Sequence, residues 1–142
     1  MLKKLWFLIT GLSAKISGQN KKEPYVPLQD LFDLELVDFF KEGETSVLWK
    51  ELGIRAKEFS HLANYADLCN LKDFPEKIPA EWQGFTIVCP YMVPLYGCGI
   101  GYPCLHYQHN QWMKSWNWAG KGYESPLDSS CRFLKLNPLQ KA

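Results

Sequence analysis

The sequence predicts an α+β domain, in which N-terminal helices pack on a small, loop-rich antiparallel sheet of short strands. Apolar residues recur at helical spacing in residues 28–69, whereas residues 82–136 hold short aromatic and β-branched runs broken by glycine and proline. A chain of 142 residues is long enough for one domain with its own core. We therefore expect residues 19–142 to form a single domain, with 28–69 as its helical half and 82–136 as its aromatic, cysteine-rich β and loop half.

The first 18 residues, ahead of that domain, have a basic start at Lys3 and Lys4 and a short apolar run. The run is too short to span a bilayer, which needs about 20 apolar residues. No good signal-peptidase site follows it. Two interpretations stay open: a poor signal peptide, or a retained amphipathic helix that docks on protein or touches a membrane through residues 2–16. On this basis a membrane-associated or extracytoplasmic location is favoured over a free cytosolic one.

Two helices are predicted in the helical half. The first extends over 28–42 and ends at Gly43, on a stripe formed by Leu28, Leu31, Phe32, Leu36, Phe39 and Phe40. The second extends over 47–69 with a kink or break near Gly53, because glycine is a poor helix former. His61 would occupy a mostly polar position of this second helix and is expected to lie on the surface.

Three short strands are predicted in the second half, after a proline-containing loop at 70–84. They are FTIVC at 85–89, CLHYQ at 104–108 and CRFLKL at 131–136. The glycines and prolines that follow the first of these exclude a long helix there. The second half is therefore expected to consist of strands and loops.

The stretch from Cys89 to Trp118 is the candidate functional region. It holds three of the five cysteines, two of the three histidines and three of the six tryptophans, and no acidic residue lies between Glu81 and Glu124. Aromatic rings beside amide side chains are typical of surfaces that bind a protein, a peptide or a sugar. The predicted partner-binding residues are Trp112, Trp116, Trp118, Tyr96, Tyr102 and Tyr107. An alternative is that several of these rings form the core.

These observations favour a non-enzymatic interaction or accessory protein, which binds a partner through its aromatic, acid-free C-terminal surface. It would serve as a subunit of a larger membrane-associated assembly, or as an immunity-type or inhibitor protein. A protein partner is expected first and a glycan second. Nucleic acid is not expected, because the net charge is only +1 and no run of Lys or Arg accompanies the aromatic residues.

The cysteines admit three further hypotheses. In an oxidising compartment, two disulfides would form among Cys89, Cys98, Cys104 and Cys131, with three connectivities open and Cys69 left over. Alternatively, a zinc ion would be held by Cys98, Cys104, His106 and His109, although the chain has no Cys-x-x-Cys pair. The third hypothesis is a thiol-dependent enzyme, with Cys98 or Cys104 as nucleophile and His106 or His109 as its base.

Overall fold

The structure, a computed structural model, describes residues 25–95, 99–118 and 126–140. The amphipathic or signal-like segment predicted at 1–18 lies outside these residues. Within the described ranges, no helix has the length and apolar character needed to cross a membrane.

A six-stranded mixed sheet forms the centre of the molecule. Its strands are β1 (Phe32–Val37), β3 (Thr86–Val88), β4 (Val93–Leu95), β5 (Gly99–Gln108), β6 (Gln111–Trp118) and β8 (Cys131–Pro138). The order is β1-β8-β3-β5-β4. Strands β3 and β4 pair with different parts of one edge of β5, and β6 pairs with its opposite edge. The β3–β8 pair is parallel, whereas the other pairs of this sheet are antiparallel. A separate antiparallel pair is formed by β2 (Ser46–Val47) and β7 (Leu127–Asp128).

The three strands predicted in the second half are present as β3, β5 and β8, but the predicted fold class is wrong. The helix expected at 28–42 is instead a 3₁₀ turn at Leu28–Asp30 followed by β1. In the sequence FDLELV, apolar and acidic residues alternate, and the apolar ones are partly buried while Asp33 and Glu35 are exposed. This period of two fits a strand that buries one face. The strand pairs with β8 over its whole length.

The long helix expected at 47–69 is also wrong. The structure has a 3₁₀ turn at Trp49–Glu51, a short helix α1 (Leu52–Ala56) and a second helix α2 (Tyr65–Asp73). Between the helices, His61 adopts a left-handed φ of 60°. Its carbonyl accepts a hydrogen bond from the Leu136 amide at 2.8 Å, so the segment continues the sheet beside β8. The domain is therefore rich in sheet, with two short α-helices in its described part, rather than helical in its first half.

Helix α2 begins where the sequence supplies a capping box. The Asn64 side chain accepts a hydrogen bond from the Asp67 amide at 3.0 Å, and the Asp67 carboxylate accepts one from the Asn64 amide at 2.9 Å. These two bonds satisfy backbone donors that the helix itself leaves unpaired. The cap fixes the start of the helix that lies on the sheet at β5 and β6.

Alternate residues of each central strand enter two different cores. One side of the sheet, here called the closed face, carries Val88, Cys104 and Phe133 and is covered by the 49–56 segment. The other side, here called the open face, carries their neighbours in the chain, such as Leu105, and is covered by α2. The same strand thus contributes to both cores, and the two cores are separated by the sheet.

Arg55 connects helix α1, which covers the closed face, to the chain at Phe39 and Glu44. Its guanidinium donates to both carboxylate oxygens of Glu44, at 2.8 and 2.7 Å, and to the Phe39 carbonyl at 2.9 Å. Only 7% of Arg55 is exposed, so these charge-assisted bonds satisfy a buried cation. The Arg55 guanidinium lowers the pKa of the Glu44 carboxyl to about 2.

Candidate functional site

A tight hairpin between β5 and β6 builds a concave surface on the open face. Its two-residue turn, His109–Asn110, has φ values of 56° and 62°. Positive φ at both central positions is the signature of a type I′ turn, whose twist matches that of the strands, and asparagine tolerates this conformation well. The turn fixes the register so that Tyr107 lies opposite Trp112.

A groove of about 370 Å³ lies beside this hairpin tip. The hairpin forms one wall, and the end of α2 with the chain that follows it forms the other. The residues that line the groove are Tyr107, Asn110, Gln111 and Trp112 from the hairpin, with Lys72, Pro75, Glu76 and Gln83 opposite. A cavity of this size is within the range of small-molecule and side-chain binding sites.

The groove combines aromatic rings, amides and balanced charge. The rings of Tyr107 and Trp112 meet edge to face, with centroids 5.5 Å apart and planes at 64°. Trp112 is only 6% exposed and belongs to the core of the open face, whereas Tyr107 is partly exposed. One lysine and one glutamate line the groove, and their charges offset each other. The groove therefore suits a polar ligand without large net charge, held against an aromatic wall.

A second group of aromatic residues, here called the aromatic patch, lies further along the same face of β6. It consists of Tyr65, Lys114 and Trp116. The rings of Tyr65 and Trp116 are 5.2 Å apart, and the Lys114 ammonium lies 5.3 Å from the Tyr65 ring centroid. The ammonium also donates to the Tyr65 hydroxyl at 3.3 Å, which raises the pKa of Lys114 and keeps it charged. Trp116 is 36% exposed. The patch thus presents a flat ring next to a fixed cation.

The structure describes the side chains of four of the six predicted partner-binding residues, and these lie in two environments. Tyr107, Trp112 and Trp116 lie on the open face, at the groove and the aromatic patch. Tyr102 lies in the core of the closed face, where its ring stacks on Trp49 at 4.9 Å. Tyr96 lies outside the described residues, and Trp118 ends β6 with only its backbone described.

The disulfide hypothesis concerns four cysteines, of which the structure describes three. Cys89, Cys104 and Cys131 are free thiols, and Cys98 lies outside the described residues. Cys104 and Cys131 share the closed face, but β3 separates their strands by about 9–10 Å, more than the roughly 7 Å that a disulfide spans between Cα atoms. Cys89 packs into the opposite core. The fold therefore keeps these three thiols apart.

In the described part of the chain, no group of three His, Cys, Asp or Glu side chains is placed to hold a metal. The ligand set of the zinc hypothesis is therefore not assembled there. Cys104 is buried at 3% exposure. His106, two residues later, has its ring nitrogens 3.3 Å from Ser115 Oγ and 3.1 Å from Gln108 Oε1. His109 occupies the hairpin turn. These neighbours engage His106 in polar contacts of the strand surface.

The thiol-enzyme hypothesis requires a cysteine thiolate. Burial disfavours the thiolate of Cys104, the candidate nucleophile that the structure describes. Burial raises the pKa of the Cys104 thiol far above its usual range. It also raises the pKa of Cys89 and of Cys131 to about 11. Thiols in such surroundings stay protonated at neutral pH and behave as small apolar residues. The other candidate nucleophile, Cys98, lies outside the described residues.

One wall of the groove was missed by the sequence analysis. Lys72, Glu76 and Gln83 belong to the end of α2 and the chain after it, which the sequence shows only as a polar helix end and a loop. No spacing links them to the hairpin, because the contact depends on how α2 lies on the sheet. The capping box at Asn64 was the local signal for where that helix begins.

Comparison of the chain with protein-family models, with curated proteins and with solved structures gives no match. The function is therefore argued from the groove and the aromatic patch themselves.

Proposed function

We propose that the protein is a non-enzymatic binding protein that docks a partner protein through the open face of the β5–β6 hairpin. The observation that carries the proposal is the continuity of the groove and the aromatic patch along one face of β6. Trp112, Lys114 and Trp116 occupy alternate positions of this strand and so share that face. Tryptophan, tyrosine and cations near the centre of a contact surface contribute most of the affinity in typical protein interfaces.

The shape and chemistry of this surface favour a protein partner over a charged ligand. An exposed indole and a fixed ammonium offer flat apolar contact with one charge, while Asn110, Gln111 and Gln83 offer amide donors and acceptors in the groove. Interfaces between proteins combine these features, with aromatic anchors surrounded by polar groups. A glycan would use the groove alone, because stacking on Tyr107 and bonding to amides does not need the aromatic patch.

A binding role rather than catalysis is supported by the state of the thiols. The described thiols that the thiol-enzyme or disulfide hypotheses invoked lie in apolar cores with raised pKa values. Under this proposal, the protein acts as an accessory subunit of a larger assembly or as an immunity-type or inhibitor protein. Residues 2–16 would then add a peripheral membrane contact.

Site-specific photo-crosslinking in the native host tests the proposal. The photoreactive residue p-benzoylphenylalanine replaces Trp116 or Tyr107, and, as a matched control, the exposed Ile54 of α1 beside the closed face. We expect both open-face positions to crosslink to one and the same protein, and the Ile54 position not to do so. Trp116→Ala should then weaken binding of that purified partner by about tenfold or more, as for a central aromatic contact.

Two outcomes would contradict the proposal. The first is crosslinking to the same proteins from all three positions, which indicates non-specific contact. The second is unchanged affinity of the purified partner for both Trp116→Ala and Tyr107→Ala. If Tyr107→Ala alone weakens binding, and added oligosaccharide competes, the ligand is a glycan in the groove.

A further inference from the structure

The outer side of β6 is a free edge of the central sheet. β6 pairs with β5 along its whole length, and no other described strand pairs with it. Every second residue of an edge strand has a backbone N–H and C=O that point away from the sheet. These groups can accept hydrogen bonds from, and donate them to, a further strand.

The register of the hairpin identifies these residues. In a two-residue hairpin, the residues that flank the turn exchange backbone hydrogen bonds, and bonded positions then alternate along both strands. Met113 and Ser115 therefore bond to β5, whereas Lys114 and Trp116 direct their backbone groups outward. Among the described residues, neither Lys114 nor Trp116 makes a backbone hydrogen bond outside the β5–β6 pair.

A hydrogen bond on the far side of β5 agrees with this direction. Pro103 lies opposite Trp116, and its carbonyl accepts a hydrogen bond from the Cys89 amide at 2.9 Å. This carbonyl therefore points toward β3 and away from β6, and proline has no N–H to offer. Pro103 and Trp116 thus form a non-bonded pair, and the backbone groups of Trp116 face away from β5.

The side chains at this edge favour one kind of strand. Lys114 is the single charged residue of β6, and both it and Trp116 are exposed. No described carboxylate pairs with its ammonium, which contacts the Tyr65 hydroxyl and the Cys69 thiol. Side chains directly opposite each other on paired strands are close enough to interact. An acidic residue on an added strand would therefore complement Lys114, and a second copy of β6 carries no acidic residue.

We propose that β6 accepts an extended segment of a partner protein as an additional antiparallel strand, with an Asp or Glu opposite Lys114 and an apolar residue opposite Trp116. The inference rests on the proposed function and specifies how the partner docks. Backbone hydrogen bonds to the outward groups of β6 supply affinity, as in other complexes formed by strand addition. The ammonium and the indole on the open face select the sequence of the added strand.

Amide hydrogen exchange followed by NMR on the full-length protein tests the proposal. The probe is the peptide Ac-Val-Thr-Val-Thr-Glu-NH2, whose Glu aligns with Lys114 when its central Val lies opposite Trp116. In the free protein, the amides of Lys114 and Trp116 should exchange about tenfold or more faster than those of Met113 and Ser115, which bond to β5. At a peptide concentration about ten times Kd, exchange at Lys114 and Trp116 should slow about tenfold.

Reversal of charge separates the pair at Lys114 from general peptide binding. The matched peptide Ac-Val-Thr-Val-Thr-Lys-NH2 should bind about fivefold more weakly, because it places like charges opposite each other. Lys114→Glu should reverse the preference between the two peptides. Lys50→Glu, the same change at an exposed lysine of the 49–56 segment on the other face, should leave the preference within about twofold.

The proposal is overturned if the Lys114 and Trp116 amides are protected in the free protein, if no saturable protection by the peptide is found, or if the two peptides bind equally. Protection that rises with protein concentration alone would assign the edge to a second copy of the chain, against the proposal. Failure of the proposed function gives a different result, in which crosslinking from Trp116 and Tyr107 yields no common partner. A common partner that binds without protecting the Lys114 and Trp116 amides would leave the docking surface in place and exclude strand addition.

Discussion

The two faces of the central sheet use the same strand in opposite ways. Along β5, Tyr102 and Cys104 enter a closed core in which rings stack and thiols are fully covered, while Tyr107 on the other face borders an open groove. The 49–56 segment seals the first face, with Arg55 as its clamp, whereas α2 covers the second face only in part. One cysteine- and aromatic-rich stretch therefore contributes both to a closed core and to the proposed binding surface, and the pleat of the strand decides which residue lies on which side.

The largest expected effect is on the closed face. Phe133 is fully buried, and its ring stacks on Phe39 at 4.2 Å and meets Phe59 edge to face at 5.8 Å. Phe133→Ala should lower the free energy of unfolding by about 3–5 kcal/mol, measured by urea denaturation, because it removes these contacts and leaves a cavity. Tyr91→Ala, at a half-exposed tyrosine, should change it by about 0.5 kcal/mol or less. Equal effects of the two changes would contradict a closed core.

Replacement of Arg55 should have the next largest effect on the free energy of unfolding. Arg55→Met leaves the buried Phe39 carbonyl without its donor and should lower the free energy of unfolding by about 1–3 kcal/mol. It also leaves the Glu44 carboxylate without its cationic partner. A double variant that also carries Glu44→Gln should recover part of this loss, because no unpaired charge remains. Calorimetry of the three proteins distinguishes this clamp from simple packing by the Arg55 side chain, for which the double variant would recover nothing.

The same ion pair predicts a pH dependence. The Arg55 guanidinium lowers the folded-state pKa of Glu44 from an ordinary value of 4.5 to about 2. The stabilisation is therefore fully present above about pH 4.5, and is lost as the pH falls toward about 2, where the carboxyl becomes protonated in the folded state as well. Acid titration of Glu44→Gln should show a shallower loss of stability over this window than the wild type. Identical slopes would show that Glu44 is not paired in solution.

Thiol reactivity compares a partly exposed thiol with the thiols of the two cores, without changing stability. Burial raises the pKa of Cys131 from 9.0 to about 11, so its thiolate fraction near pH 8 falls about a hundredfold. Cys69 is partly exposed and accepts a hydrogen bond from the Lys114 ammonium at 3.6 Å. Iodoacetamide labelling of the native protein, mapped by mass spectrometry, should modify Cys69 long before Cys89, Cys104 or Cys131. Rapid labelling of Cys104 at neutral pH would revive the thiol-enzyme hypothesis.

The second half of the fold was predictable because its strands are marked by local residues. β-branched and aromatic runs end at glycine or proline, so β3, β5 and β8 were located, although β5 begins earlier than predicted. The first half was not, because FDLELV fits a helical stripe and a strand alternation at once. Pairing with β8 decides between them, and that partner lies about a hundred residues away. His61 likewise breaks a helical pattern only because its backbone bonds to Leu136.

The candidate site was predictable only on its hairpin side. The positions of Trp112, Trp116 and Trp118 differ by multiples of two, as expected for residues on one face of a strand. Met113 and Ser115 occupy the alternate positions, which belong to the other face. That signal was present in the sequence. The wall from Lys72 to Gln83 is set by the packing of α2, and the burial of Tyr102 rather than Tyr107 depends on which face the 49–56 segment covers. Neither is encoded in local spacing.

A matched pair of variants tests the division of the sheet into a closed and an open face most directly. Tyr102 and Tyr107 are the same residue type on the same strand, five positions apart, and they lie on opposite faces. Urea denaturation should show Tyr102→Ala lowering the free energy of unfolding by about 3 kcal/mol or more, and Tyr107→Ala by about 1 kcal/mol. Equal losses for the two variants, or a larger loss for Tyr107→Ala, would contradict the account.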